Sequence, residues 1–155
     1  MSKSLARVTA ALRAAGLDSQ PLEMPGETRT AVQAAEAAGC ALDQIVKSIL
    51  FRGDSGQLHL FLTAGGNQVD AARASALAGE VLGRADADEV RRVTGFAIGG
   101  VAPLGHLTPL PVRMDRRLMD FARVWAAAGT PRHIFPVEPA ALLAASGATL
   151  EDFTL

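Results

Sequence analysis

Tyrosine is absent from this chain, cysteine occurs once and lysine only twice among 155 residues. Without tyrosine, and with no aromatic residues interleaved among the basic ones, there is no stacking platform for single-stranded nucleic acid. The lone Cys40 can form no internal disulfide and cannot by itself supply a cysteine-based zinc site, which fits a reducing cytosol. Neither sign of charge dominates. Fifteen Lys+Arg against sixteen Asp+Glu leave a net charge of −1, which excludes a wholly basic nucleic-acid-coating protein but not a local basic patch. The alanine-rich stretches are broken well before the roughly 20 apolar residues that a membrane span needs. Arg7 and Arg13 interrupt what would be the apolar region of a secretory signal. A cytoplasmic protein that engages neither membrane nor DNA is expected.

Signature motifs are missing as well. There is no Gly-x-Gly and no Gly-Lys-Ser/Thr, so neither standard nucleotide fingerprint applies. No serine sits in a Gly-x-Ser-x-Gly elbow, which leaves a hydrolase triad without support. His59, His106 and His133 show no metal-ligand spacing, so neither metal nor cofactor is expected.

What is present reads as one mixed α/β domain over residues 1–155. Leu5, Val8, Ala11, Leu12 and Ala15 recur at helical spacing before Gly16. Pro21 and Pro25 bracket an extended piece. Thr28 or Thr30 can cap a second helix, Ala31 to Ala38, whose small side chains all round suggest a buried element. Gln44–Phe51 and Gln57–Thr63 are strand-like and joined by Gly53-Asp54-Ser55-Gly56, the pattern of a hairpin. Helices are expected near Asp70–Leu77 and from Asp86, whose neighbouring acids suit the positive end of a helix dipole. A Gly/Pro-rich loop spans Thr94–Pro111. Strands near Pro111–Asp115, Arg123–Ala127 and Arg132–Val137 precede a closing helix at Pro139–Ala145.

Two features carry chemistry. Lys47 lies in the most strand-like segment, on the same face as Ile45, Ile49 and Phe51. An ammonium there is costly unless it snorkels at a strand edge or reaches a cleft holding an anionic or carbonyl-bearing ligand. The run Gly95-Phe96-Ala97-Ile98-Gly99-Gly100-Val101-Ala102-Pro103-Leu104-Gly105-His106 lets a ligand approach main-chain N–H groups, although such a run is also simply a turn. His59 falls at an exposed-looking position of its strand, and Cys40 reads as core. Arg84, Arg91, Arg92, Arg113, Arg116, Arg117 and Arg132 are candidates for a phosphate-facing patch or an ordinary solvated surface.

In order and spacing, Thr30-Ala31 with Ala34-Ala35, then Gln44–Ser48, then Thr94–Gly105, resemble the YbaK/ProX family. Its members are the editing insertion domain of bacterial prolyl-tRNA synthetases and free-standing relatives of it. The tail Ala128–His133, with Pro139 and Leu142, fits as well, so the resemblance covers nearly the whole chain. It implies a mixed, curved sheet flanked by helices, and hydrolysis of the ester of a mischarged aminoacyl-tRNA, typically tRNA(Pro) carrying a small wrong amino acid. It implies that Lys47, Gly99 and Gly100 carry the reaction. Thr30, Ser48, Val101, Ala102, Pro103 and His133 are then substrate-binding, with His133 in the amino-acid pocket. Lys47 would contact the terminal nucleotide and the Gly99–Pro103 loop would hold the aminoacyl end. Mischarged aminoacyl-tRNA is the implied partner, with prolyl-tRNA synthetase as a further one. The alternative is a tRNA-binding or regulatory module of the same fold that has lost activity.

Overall fold

The structure, a computed structural model, describes residues 2–155. The chain starts with helix α1 (Lys3–Ala14), whose Val8 and Leu12 lie four residues apart on one face and are buried in the main core. A two-residue strand, β1 (Leu22–Glu23), fills the piece between the prolines. Helix α2 (Ala31–Ala38) is capped by Thr30 rather than Thr28: the Thr30 hydroxyl accepts from the Gln33 N–H in a capping box. Ala34 and Ala35 pack on Ile45, while Val32 on the opposite side is 55% exposed. The helix therefore buries one face only, where its uniformly small side chains predict burial all round.

The expected hairpin is formed by β2 (Ile45–Gly53) and β3 (Leu58–Ala64), antiparallel from Val46↔Ala64 to Arg52↔Leu58. Helix α3 (Ala71–Ala78), capped by Asp70, leads to β4 (Leu82–Arg84) and to α4 (Ala87–Thr94), capped by Asp86. After the Gly/Pro-rich loop come β5 (Val112–Asp115), β6 (Val124–Ala127), β7 (His133–Val137), α5 (Pro139–Ser146) and β8 (Thr149–Glu151). All eight strands join one curved, mixed sheet in the order β1-β7-β6-β2-β3-β5-β8, with β4 also paired to β2. β3 is buried along its whole length. Val46, Leu60 and Leu62 contribute to the main core, whereas Phe61 joins Ala74 and Phe153 in a smaller cluster.

His59 corrects the surface reading, because the structure leaves it only 4% exposed. Its Nε2 donates to the Glu80 carboxylate at 2.8 Å and its Nδ1 accepts from Arg113 Nη1 at 3.2 Å. Both partners come from distant segments, and together they satisfy a polar ring that would otherwise be costly to bury. The Ser55 N–H, with bonds from the His59 ring and the Ser55 hydroxyl, holds the Glu80 carboxyl down at about 2.

The second edge of β2 positions the functional site. β6 covers it only at Ile45 and Val46, running parallel, and β4 covers it only from Phe51 to Gly53, running antiparallel. From Lys47 to Leu50 that edge has no partner strand.

Candidate active site

Ser48 sits in the middle of this gap. On β3, the Leu60 N–H donates to the Pro111 carbonyl and the Ala64 N–H to Asp115, so both turn away from β2. Their cross-strand neighbours Leu50 and Val46 therefore aim their own peptide groups away from β3, and by alternation Ser48, opposite Leu62, does so too. The N–H and C=O of Ser48 thus face the gap. Ser48, substrate-binding by the resemblance, thus offers its main chain to the gap.

A cleft of about 510 Å³ opens there. Lys47, Ser48 and Thr30 line it from β2 and the start of α2, and Gly99 and Val101 line it from the Gly/Pro-rich loop. Segments about 50 residues apart in the chain are therefore brought to one cavity. Three cations, Arg29, Lys47 and Arg84, line the cleft, and no Asp, Glu, His or Cys does. Its field is positive although the chain as a whole is nearly neutral. Trp125, Ile134 and Ile45 add apolar wall. Arg29 and Trp125 carry no signal in the sequence: only pairing across the sheet brings the one tryptophan of the chain beside Ile45.

The Lys47 ammonium is tied to the turn that follows β3. Its Nζ donates to the Asn67 carbonyl at 2.5 Å, and the Asn67 side chain donates to Asp115 at 2.9 Å. Buried Asp115 also accepts from the Ala64 and Arg117 amides. Burial pulls the Lys47 pKa below the ordinary lysine value, while the charges of Asp115 and Asp43 pull it part of the way back.

In the loop, Gly99 has φ +91°, which favours glycine, and a Cβ on it would stand 3.0 Å from Arg29 Cγ. The Gly99 and Val101 amides donate to no protein acceptor among the described residues. Gly100 differs: its N–H closes a turn onto Ala97, and a Cβ on it would lie 2.8 Å from the Thr130 carbonyl carbon. Ala102 and Pro103, in the same loop, are buried and do not line the cleft. His133 is not on the cleft wall; its neighbour Ile134 is. Its Nδ1 instead accepts from the Thr130 hydroxyl at 2.6 Å, bracing the segment that packs against Gly100. Of the candidate phosphate-facing arginines, Arg84 reaches the cleft. Arg113 pairs with His59, Arg116 with Asp152, and Arg117 with Asp43 and Asp120. Cys40 is half-buried, and burial raises its thiol pKa.

Comparisons with known proteins agree with this geometry. The profile of the aminoacyl-tRNA editing domain matches residues 25–145. The uncharacterized protein YwhH of Bacillus subtilis (strain 168) is 32% identical over 117 residues, 76% of this chain and 74% of that protein. A crystal structure of a candidate trans-editing enzyme for prolyl tRNA synthetase is 46% identical with a TM-score of 0.93, covering 100% of this chain and 99% of that one. The crystal structure of the hypothetical protein APE2540 is 28% identical with a TM-score of 0.89, covering 96% of this chain and 99% of the other. The family match spans the capped helix, the lysine strand and the glycine loop that build the cleft, and the chain belongs to the aminoacyl-tRNA editing domain family.

Proposed function

We propose that this protein hydrolyses the ester of mischarged aminoacyl-tRNA in trans, on tRNA(Pro) carrying a small wrong amino acid, without a metal. The observation that carries the reading is the composition of the cleft: three cations, unused loop amides and, among the described residues, no Asp, Glu, His or Cys side chain. The terminal nucleotides of a tRNA are anionic, and Arg29, Lys47 and Arg84 answer that charge. Ester hydrolysis passes through a tetrahedral oxyanion, and the Gly99 and Val101 N–H groups are the donors available to it. The Ser48 peptide groups are open to the amino and carbonyl groups of the aminoacyl end. Water adds to the ester carbon, and the C–O bond to the ribose breaks. The ribose oxygen leaves with a proton, so the amino acid and the free 3′ end separate.

With no carboxylate or imidazole among the lining side chains, a hydroxyl of the substrate's own terminal ribose moves the proton. The physical need for such a step is general. A synthetic pocket for proline gains only about 1–3 kcal/mol per methylene when rejecting a smaller amino acid, so a second site has to supply the rest. Prolyl-tRNA synthetase is the partner this role suggests.

The test is deacylation of tRNA(Pro) charged in turn with alanine, cysteine, serine, threonine or 2-aminobutyrate, with and without EDTA. Hydrolysis of one or more, unchanged by EDTA, is expected. Binding without ester loss on every member would replace the enzyme with a binding module, and a rate lost in EDTA and restored by Zn²⁺ would reject the metal-free route. A terminal 2′-deoxyadenosine substrate cleaved at the full rate would reject proton transfer through that hydroxyl.

A further inference from the structure

Arg7 lies on α1, outside the 25–145 family match and away from the cleft wall. Its guanidinium nevertheless grips the loop that forms that wall. Arg7 Nε donates to the Gly105 carbonyl at 2.9 Å and Nη2 donates to the Gly95 carbonyl at 2.8 Å. These carbonyls stand at the two ends of the segment holding Gly99 and Val101. Arg7 Cζ also lies 4.7 Å from the centre of the Phe96 ring, a cation–π contact. One planar, rigid fork thus ties both ends of the loop and the aromatic ring beside its first glycine. His106 adds an inner tie, its Nε2 donating to the Ala102 carbonyl at 2.7 Å while its ring packs edge-on against Phe96. A Cβ on Gly95 would run into the Arg7 guanidinium, whereas one on Gly105 would make only ordinary contact with α1.

We infer that Arg7 is a positioning residue for the editing site, setting the separation of the loop ends and with it the aim of the Gly99 and Val101 amides. The inference rests on the editing reading of the cleft. A positively charged side chain holding two carbonyls could serve stability alone. Two features point further: both carbonyls belong to the site loop, and the elements matched by the family profile do not supply this clasp. Donors displaced by about 1 Å from a reacting group can cost on the order of 10²-fold in rate.

The experiment compares Arg7→Ala and Arg7→Lys with Phe153→Leu, which loosens a core cluster containing no loop residue. All are measured at a temperature where melts show each protein folded. Two quantities are read: single-turnover deacylation across enzyme concentrations, and hydrogen exchange of the Gly100 amide, which is bonded to Ala97 at 3.0 Å. Arg7→Ala is expected to lower the saturating rate at least about tenfold, with little change in the half-saturating concentration, and to speed Gly100 exchange. Arg7→Lys, which keeps the charge and the stem, is expected to recover part of both, and Phe153→Leu to change neither. If Arg7→Ala does not fold, Arg7→Lys alone decides: wild-type rate and exchange there would overturn the inference. So would wild-type values in Arg7→Ala, or losses in Phe153→Leu that match its own. Should the wild type deacylate nothing, the editing reading falls, and the exchange measurement still decides whether Arg7 holds the loop.

Discussion

The Lys47 ammonium donates to the main-chain carbonyl of Asn67 at 2.5 Å, so this cleft-lining lysine is oriented from the turn that follows β3. Lys47→Ala is expected to lower single-turnover deacylation on the order of 10²–10³, like loss of an oxyanion donor. The fold should survive, because removing a partly buried ammonium also removes its desolvation cost. Arg at this position should not fully restore the rate, since a planar fork cannot reproduce a compact ammonium on this carbonyl. Rate assays beside thermal melts check this; a wild-type rate in Lys47→Ala sinks the role.

Asp115 helps keep that ammonium charged. Burial lowers the Lys47 pKa and Asp115 raises it again, so Asp115→Asn should move the loss of activity at alkaline pH to lower pH. The same substitution disturbs the bonds from Ala64 and Asn67, and a stability loss of about 1–3 kcal/mol is expected. The measurement is a pH–rate profile; an unmoved alkaline limb would separate Asp115 from Lys47.

Gly99 and Gly100 are predicted to fail differently. Gly100→Ala presses a Cβ into the Thr130 backbone, so its melting temperature should fall along with its rate. Gly99→Ala meets only the Arg29 side chain but keeps a positive φ, a strain of about 1–2 kcal/mol. Its larger effect should be on deacylation, since Gly99 lines the cleft. Equal melting losses with a normal rate in Gly99→Ala would contradict this.

Glu80 sets an acid limit on stability. Its carboxyl, held at about 2, is protonated more readily in the unfolded chain. Its stabilisation is therefore full above the ordinary carboxylate range and drains away as pH falls towards about 2. Glu80→Gln should flatten the dependence of melting temperature on pH in that window. A slope identical to wild type would remove Glu80 from the acid response.

Trp125 is the only tryptophan, and no tyrosine competes with it. Because it lines the cleft, an aminoacyl-adenosine analogue that inhibits deacylation should shift its emission, and Trp125→Phe should abolish the signal. An inhibitor that leaves emission unchanged would place its binding elsewhere.

Local chemistry made much of this fold legible. Gly39, left-handed, ends α2 just past its alanine run, and the Gly53–Gly56 turn marks the hairpin. The strands β1, β4 and β8, two or three residues long, have no pattern of their own and exist through their partners β7, β2 and β5. The burial of His59 is illegible for the same reason: it depends on Glu80 and Arg113, which sequence spacing does not bring near. Lys47, Ser48 and the glycine loop could be picked out as residues, whereas the gap between β6 and β4 that joins them is a property of strand pairing.

The interrupted edge of β2 has a consequence for how this cleft can be mapped by mutation. The groups that Ser48 turns into the gap are its amide and carbonyl, and every residue except proline carries both. An alanine scan across the cleft would exchange the hydroxyl and leave that part of the wall chemically intact. On the editing reading proposed above, such a wall would hold what all amino acids share rather than what distinguishes them. Discrimination among cargoes would then fall to the apolar surfaces around it, Trp125, Ile45 and Ile134 among them.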